Sequence, residues 1–319
     1  MNPLSDSLAL LLLCSQLGLE DDSVKPLTLR EWNPLVRRLQ AASLRPSNLL
    51  AISTTDSPLE LSPDERARIV SLVSRDIQHE LNKLESLGIY PITRADSDYP
   101  EKYRQRLKDS APAVLFYAGE KALLGQPGIA VVGSRHLDDA RKDCAAFVGN
   151  ACGLSGQVLY SGGAKGVDTI SMESALEARG TAVSVLADSL ERAVKGQKEA
   201  LSRGDLCLVT PYSPSAGFSV GAAMGRNRLI YCLADYAIVV ASDAETGGTW
   251  AGATETLKNN WVPVFVLEHD AMPDGNKLLL QKGALAFPHP FKKAPVKLPK
   301  WLKTKSASLP AEPSQPSLF

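Results

Sequence analysis

Short apolar runs alternate with stretches of helical length through the middle of this 319-residue chain, and this alternation limits the fold more than any other feature. Each run has the length of a buried strand and is followed by enough residues for a helix. The runs occupy 113–117, 129–133, 158–161, 182–186, 206–210, 236–241 and 262–267. Apolar strands that alternate with helices predict a Rossmann-like, doubly wound α/β domain over residues 111–290, with a mainly parallel sheet covered on both faces.

The first 110 residues have a different pattern, which predicts a small N-terminal helical domain. Thr28 and Glu31 have the spacing of a capping box ahead of a helix. The same arrangement recurs at Ser62, with a proline at the first helical position, and apolar residues then keep helical spacing until Gly88. A short strand over 89–93 leads into the α/β domain.

The last part of the chain, 291–319, is basic and rich in proline. Its lysines are opposed by a single acidic residue, Glu312, and prolines recur along its whole length. Such a segment buries too little apolar surface to fold alone. We therefore expect a flexible tail after the α/β domain.

Composition excludes a uniformly basic protein, because 35 basic residues balance 35 acidic ones. A nucleic-acid site is still allowed, since binding needs only a local cluster of cations. The five cysteines include no CxxC pair and the four histidines are scattered, so neither a metal site nor any cofactor is expected. The leucine-rich segment 8–13 is too short to span a bilayer, and we expect a cytoplasmic protein.

Four segments after predicted strands carry residues suited to anion binding, and the carboxyl ends of strands in open α/β sheets are where ligands bind. Glycine lets an anion approach the backbone, amides at a helix N-terminus donate hydrogen bonds, and arginine offers a planar fork to phosphate. The segments are Gly133-Ser134-Arg135, Ser161-Gly162-Gly163-Ala164-Lys165-Gly166-Val167-Asp168, Arg226-Asn227-Arg228 and Gly247-Gly248-Thr249.

Each segment alone also has a purely structural explanation: a turn with a solvated arginine, tight packing of a glycine-rich turn, or an exposed helix face. Their combination favours one shared anion site, because all four can meet at one cleft. Arg135, Lys165, Arg226 and Arg228 would supply positive charge there. Asp168 would have a structural role and hold its loop by accepting hydrogen bonds from nearby N–H groups.

These residues give the chain, from 128 to about 287, a resemblance to the DNA-processing protein A family (DprA, also called Smf). The family's hallmarks are a GSR after the first strand, an SG-x-A-[RK]-G-[IV]-D loop and an RNR helix followed by a strand, and all three occur here in that order. Shorter matches extend upstream through Leu87-Gly88-Ile89, Asp98-Tyr99-Pro100 and Val114-Leu115-Phe116. The resemblance implies a Rossmann-like core that binds single-stranded DNA, often as a homodimer, and helps to load the recombinase RecA onto that DNA.

The chain departs from the family pattern at several positions. Gly163 and Lys165 replace the more usual leucine and arginine, which keeps the charge of the loop. Met172 and Glu173 stand where many members have Ala-His. The sequence after 287 shows no counterpart of the C-terminal winged-helix domain of many relatives, so the resemblance implies DNA binding more directly than a role in natural transformation.

The resulting hypothesis is a protein that binds single-stranded DNA chiefly through its phosphates, with little sequence preference. Ser134 and the amides of 162–166 would position the DNA backbone. Phe218 or Tyr212 would stack on bases, and the sequence does not choose between them. The pathway also stays open among transformation, repair and defence against foreign DNA.

Two alternatives involve a nucleotide instead of DNA. The wider superfamily includes phosphoribohydrolases that act on nucleoside monophosphates through a PGGxGTxxE segment. Here Gly247-Gly248-Thr249 is present but its spacing to Glu255 differs from that pattern, and no nucleophile–base pair is evident. We therefore expect no enzymatic activity. A cleft that binds a nucleotide without cleaving it is the other alternative.

The chain ends in Gln315-Pro316-Ser317-Leu318-Phe319, which resembles the Q-x-[SD]-L-F peptide by which bacterial polymerases and repair proteins dock on the β sliding clamp. Leu318 and Phe319 would be apolar anchors, and the Gln315 amide would set the register. A chance match at a frayed end is the alternative. The accessible position favours a docking peptide.

Overall fold

The computed structural model describes residues 5–19, 24–52, 59–135, 137–269, 272–288 and 298–307, and these form one nine-stranded sheet with helices on both faces. The sheet order is β1-β2-β6-β5-β4-β3-β7-β8-β9, with β1, β2 and β6 paired antiparallel and the other neighbours parallel. The strands are β1 Ile89–Thr93, β2 Val114–Gly119, β3 Gly128–Gly133, β4 Val158–Ser161, β5 Ala182–Val185, β6 Leu206–Thr210, β7 Tyr236–Ala241, β8 Val264–Glu268 and β9 Leu285–Pro288.

The helices alternate with the strands after β2, as the apolar pattern predicts. They are α1 Ser5–Cys14, α2 Leu29–Ala41, α3 Pro63–Val73, α4 Gln78–Ser86, α5 Glu101–Leu107, α6 Asp139–Leu154, α7 Val167–Glu177, α8 Leu190–Gly196, α9 Lys198–Arg203, α10 Val220–Leu233, α11 Gly247–Asn259, α12 Asp274–Gln281 and α13 Leu298–Ser306. The predicted α/β class with a mainly parallel sheet is confirmed.

Two apolar cores lie on opposite faces of the sheet. Along β3, Ile129 and Val131 belong to one core and Ala130 and Val132 to the other, because successive strand residues point to opposite faces. The first core contains buried residues of α1–α4, α6 and α7, whereas α5, α10 and α11 contribute to the second. The N-terminal helices therefore share one core with the sheet, and β1 joins the sheet from within the first 110 residues.

The helical spacing before Gly88 forms two helices, α3 and α4, where the pattern predicts a continuous run. Arg75 leaves the helix and its guanidinium donates to the carbonyl oxygens of Leu12 and Leu17. Asp76 then accepts a hydrogen bond at 2.9 Å from the amide of Gln78, the first residue of α4. A side-chain contact with α1 therefore outweighs the local periodicity.

The prediction of a flexible tail over 291–319 is wrong for the described part, 298–307. Trp301 and Leu302 lie about one helical turn after Leu298, and Leu298 and Leu302 are fully buried. The Trp301 ring packs 5.7 Å from Phe265 and 5.6 Å from Phe287, between centroids. This short helix cannot bury its apolar face by itself, and it packs that face against β8 and β9. The strand β9 was also not predicted.

No helix among the described residues is long and apolar enough to cross a membrane.

Candidate functional site

A cavity of about 430 Å³ opens where the parallel strands β3, β4 and β7 end. The strand order reverses here, since β4 lies on one side of β3 and β7 on the other. Loops that leave neighbouring strands in opposite directions separate and leave a crevice, which is the usual ligand position in such sheets. Segments after β3, β4, β6 and β7 all line this cavity.

The turn after β3 is tied to the start of α7. The backbone amide of Ser134 donates a hydrogen bond to the carbonyl oxygen of Ala241 at 2.9 Å. The carbonyl oxygen of Ser134 accepts a hydrogen bond from the Val167 amide at 3.3 Å. A Cβ atom on Gly133 would lie 2.5 Å from the Val167 side chain. Glycine is therefore required for the close approach of β3 and α7, and Ser134 and Arg135 are held at the cavity by this contact.

The glycine-rich loop after β4 is held by Asp168. One oxygen of this buried carboxylate accepts hydrogen bonds from the amides of Gly162 at 3.1 Å and Ala164 at 3.4 Å. Gly163 and Gly166 have φ angles of +65° and +93°, which glycine adopts without strain. The two amides on Asp168 are not available to a ligand, whereas those of residues 163, 165 and 166 have no partner within the described part of the chain.

Ser161 has a structural position rather than a ligand-binding one. Its buried hydroxyl donates to the carbonyl oxygen of Val131 at 2.6 Å and so links β4 to β3. Lys165 is exposed in the loop but does not line the cavity. Of the whole loop, Ala164 and Asp168 reach the cavity wall.

Arg226 is a buried cation at the cavity. It is only 5% exposed, and its Nε atom has no hydrogen-bond partner among the described residues. A Cβ atom on Gly162 would overlap its Nη1 atom, so only glycine leaves room for the guanidinium. Burial lowers the pKa of Arg226 and raises that of Asp168, while the attraction between the two charges opposes both shifts.

The three residues of the Arg226-Asn227-Arg228 segment do not meet at one place. Asn227 lines the cavity beside Arg226, and its side-chain amide would overlap a Cβ atom on Gly248. Arg228 instead lines a separate cavity of about 210 Å³ together with Tyr212. Successive helical residues point about 100° apart, so three adjacent side chains cannot share one cleft.

An apolar rim borders the cavity at the start of α10, and the sequence analysis identified only Phe218 among its residues. Phe218, Val220 and Met224 are 56%, 71% and 42% exposed, and all three line the cavity. The Arg135 guanidinium lies 5.8 Å from the centroid of the Phe218 ring. The signal in the sequence was the group of apolar residues between 218 and 224, directly ahead of Arg226.

The start of α11 closes the other side of the cavity. Thr246, Gly247, Gly248 and Thr249 line it, together with the exposed carboxylate of Asp243, another residue that the sequence analysis missed. The amides of a helix N-terminus attract anions. Glu255 lies two turns further along α11 and does not line the cavity, so the carboxylate that a phosphoribohydrolase would need is not at this site.

The described residues offer neither a cluster of metal ligands nor a reactive cysteine thiol at positions 144 and 152. They contain no group of three or more His, Cys, Asp or Glu side chains that could hold a metal ion. Burial raises the pKa of the Cys144 and Cys152 thiols to about 12, which keeps them protonated and poor as nucleophiles or ligands.

Comparison with known proteins shows which family this chain belongs to and which solved structures have a similar fold. Residues 91–293 match the family model described as DNA recombination-mediator protein A. The DNA processing protein DprA of Streptococcus pneumoniae is 32% identical over 183 residues, which are 54% of this chain and 63% of that protein. The chain therefore spans less than two thirds of this relative.

Two solved structures share the fold. The X-ray structure of DprA from Streptococcus pneumoniae superposes with a TM-score of 0.62 at 23% identity, over 90% of this chain and 95% of that one. A structure of DNA processing protein A from Helicobacter pylori, described for its single-stranded DNA binding mode, gives 0.56 at 25% identity, over 68% of this chain and 97% of that one.

Proposed function

Because this chain belongs to the DNA recombination-mediator protein A family, we propose that it binds single-stranded DNA at the cavity where β3, β4 and β7 end. The observation that carries the proposal is the Arg226 guanidinium, which is buried at this cavity under Gly162 and whose Nε atom has no hydrogen-bond partner in the described part of the chain. A buried cation with unused hydrogen-bonding capacity favours an anionic ligand. The single-stranded DNA binding mode described for the Helicobacter pylori relative supports DNA as that ligand.

The exposed cations Arg135 and Lys165 would contact phosphates along the strand. The amides of residues 163, 165 and 166 would add uncharged donors to the DNA backbone. Arg228 lines another cavity, so it would make no contact with this part of the strand. Contacts of this kind recognise phosphate and sugar, so we expect little sequence preference.

Phe218 would provide the stacking surface for a base. Its ring is 56% exposed beside Arg135 at the rim of the cavity. The other candidate, Tyr212, is half-buried and its hydroxyl donates to the carbonyl oxygen of Ala222 at 2.9 Å. An exposed ring next to a phosphate-binding cation suits stacking, as in other proteins that bind single strands.

Fluorescence titration of a labelled oligonucleotide tests the site. We expect the double variant Arg135→Ala, Lys165→Ala to bind at least tenfold more weakly than the wild type, since each lost phosphate contact removes about 1 kcal/mol or more. The matched control is Arg203→Ala, which removes an exposed arginine at the opposite ends of the strands. Unchanged affinity of the double variant would refute the site.

DNA binding requires no chemical step, and we propose that the protein is not an enzyme. Incubation with nucleoside monophosphates should release no free base. Release that is lost in Glu255→Ala would instead support the phosphoribohydrolase alternative.

We further propose that the bound DNA is passed to RecA and that the protein acts as a cytoplasmic homodimer, as the family resemblance implies. RecA filament formation on oligonucleotides should become faster in the presence of the protein. Light scattering should give twice the chain mass. No acceleration would remove RecA as a partner, and a monomeric mass would remove the dimer.

Gln315, Leu318 and Phe319 lie outside the described residues, and we propose that they dock on the β sliding clamp. Two adjacent apolar anchors could bury enough surface to offset the ordering of a short peptide. Calorimetry with the clamp should detect binding of the full chain and none by a chain that ends at Ser314. Equal binding by both proteins, or none by either, would refute the docking peptide.

A further inference from the structure

The cavity at Arg226 is small for a groove that accommodates a nucleic-acid strand. Its volume of about 430 Å³ is near the lower end of the range for small-molecule pockets, roughly 300–1,000 Å³. The Arg226 side chain is 5% exposed, and its Nε atom has no partner among the described residues. An anionic group must therefore enter the cavity to reach this guanidinium.

The charges at the cavity suit one phosphate group better than a series of them. Among the described residues, Arg135 and Arg226 are the basic ones of the cavity wall, and Asp168 and Asp243 are the acidic ones. Asp168 is engaged by the amides of its own loop. The exposed Asp243 carboxylate would repel a second phosphate, but it can accept a hydrogen bond from a sugar hydroxyl or a base amino group.

The start of α11 adds an independent attraction for an anion at the same place. Residues 246–249 line the cavity at the N-terminal end of this 13-residue helix. Gly248 lies against Asn227, the neighbour of Arg226, so the helix end and the guanidinium are close together. The partial positive charge of a helix N-terminus stabilises a nearby anion.

We propose that this cavity binds a single nucleotide unit through its phosphate monoester, with the phosphate at Arg226 and the sugar or base toward Asp243. The ligand is the phosphorylated end of a DNA strand or a free nucleoside monophosphate. A monoester carries a charge of about −1.5 to −2, against about −1 for an internal diester, so it gains more from a buried guanidinium. This inference rests on the proposed function, because the strand beyond that unit lies along Arg135, Lys165 and Phe218.

Binding to the wild-type protein distinguishes the possible ligands without any substitution. One oligonucleotide is prepared with a 5′-phosphate, a 3′-phosphate or only hydroxyl ends, and as a closed circle. Deoxyadenosine monophosphate and deoxyadenosine serve as competitors. We expect one phosphorylated end to bind about tenfold more tightly than the hydroxyl form and the circle, and the monophosphate to compete while deoxyadenosine does not.

Two variants assign the preference to Arg226. Arg226→Gln removes the cation, and Gly162→Ala displaces it, because the added methyl group would overlap Nη1. Both should bind phosphorylated and hydroxyl ends equally, whereas the control Arg203→Ala should keep the preference. Circular dichroism identifies a variant that does not fold. In that case the binding of the different oligonucleotide ends and competitors to the wild-type protein tests the inference without the variants.

Each outcome separates this inference from the proposed function. A preference for a phosphorylated end assigns the strand end as ligand, and competition by the monophosphate without such a preference assigns the free nucleotide. Equal binding of all DNA forms, with no competition, overturns the inference and leaves DNA binding intact. Binding of the monophosphate without binding of any DNA overturns the proposed function and keeps the phosphate site.

Discussion

Gly162 and Arg226 show how strongly one residue of the site depends on another. The backbone at Gly162 leaves space for the Arg226 guanidinium, and its amide donates to Asp168, the acidic neighbour of that guanidinium. The loop at Gly162, the Asp168 carboxylate and the Arg226 guanidinium therefore pack together in a buried environment. A change at the glycine should affect both stability and binding.

We predict that Gly162→Ala lowers the free energy of unfolding by about 1–3 kcal/mol, the usual cost of overpacking, and weakens DNA binding. Urea denaturation and fluorescence titration measure the two effects. Gly196→Ala is the matched control, since its added Cβ atom would meet nothing within 4 Å. Wild-type stability of Gly162→Ala would contradict the close packing of Gly162 against Arg226.

At Phe218 we predict an effect on binding with little effect on stability. Phe218→Ala should weaken binding of single-stranded DNA by about 1–3 kcal/mol, the range for loss of one base-stacking contact. Because the ring is 56% exposed, the midpoint of urea unfolding should hardly move. Phe218→Trp should restore binding, and a wild-type affinity of Phe218→Ala would exclude stacking at this position.

At the scale of elements, two N-terminal helices are joined through one carboxylate. Glu31 accepts hydrogen bonds from the amide and hydroxyl of Thr28, both at 2.8 Å, at the start of α2. It also accepts one from Arg68 of α3 at 2.6 Å. The Arg68 hydrogen bond, assisted by those from Thr28, lowers the pKa of Glu31 to about 2.

This shift predicts a defined dependence of stability on pH. The pKa of Glu31 is lower in the folded state than its ordinary value of 4.5, so its contribution is complete above about pH 4.5 and is lost as the pH falls toward about 2. Glu31→Gln should reduce the loss of stability across this window in urea titrations at several pH values. The exposed Glu173→Gln serves as the control, and identical pH profiles for Glu31→Gln and wild type would refute the prediction.

Helix α13 gives a second prediction at this scale. Leu302 is fully buried, so Leu302→Ala should destabilise the protein by about 2–5 kcal/mol in urea unfolding. Thr304→Ala changes an exposed residue of the same helix and should stay within about 0.5 kcal/mol of wild type. A similarly small effect of Leu302→Ala would mean that the helix does not pack on the sheet.

At the scale of the whole molecule, a formal net charge of zero means that any attraction for DNA is local. Three cations are proposed to contact phosphates: Arg135, Lys165 and Arg226. For single strands the logarithm of the binding constant falls with the logarithm of salt concentration by about 0.7 per phosphate, so we predict a slope of about −2.

The double variant Arg135→Ala, Lys165→Ala should reduce this slope to about −0.7, as measured by titrations at several salt concentrations. The variant Arg203→Ala should leave the slope unchanged. A much steeper slope for the wild type would require further cations beyond the proposed site.

The sequence by itself determined the fold class and indicated the cavity that is the candidate site. Apolar runs such as 129–133 and 236–241 became β3 and β7, because a strand buried on both faces must be continuously apolar. Gly133 at the end of β3 and Gly166 directly before α7 marked positions where the backbone comes close to another element. Both signals are local, so they can be read without knowing which strands are neighbours.

Only the tertiary structure decided which side chains meet. The position of β3 between β4 and β7 fixed the cavity, and the orientation of α10 brought Arg226 to it while Arg228 went elsewhere. Asp243 lines the cavity from the loop after β7, whose sequence has no distinctive motif. The docking of α13 likewise depended on Phe265 and Phe287, which lie far from Trp301 in sequence. These contacts connect residues that are distant along the chain, and local patterns carry no information on such pairings because they form only when the sheet is assembled.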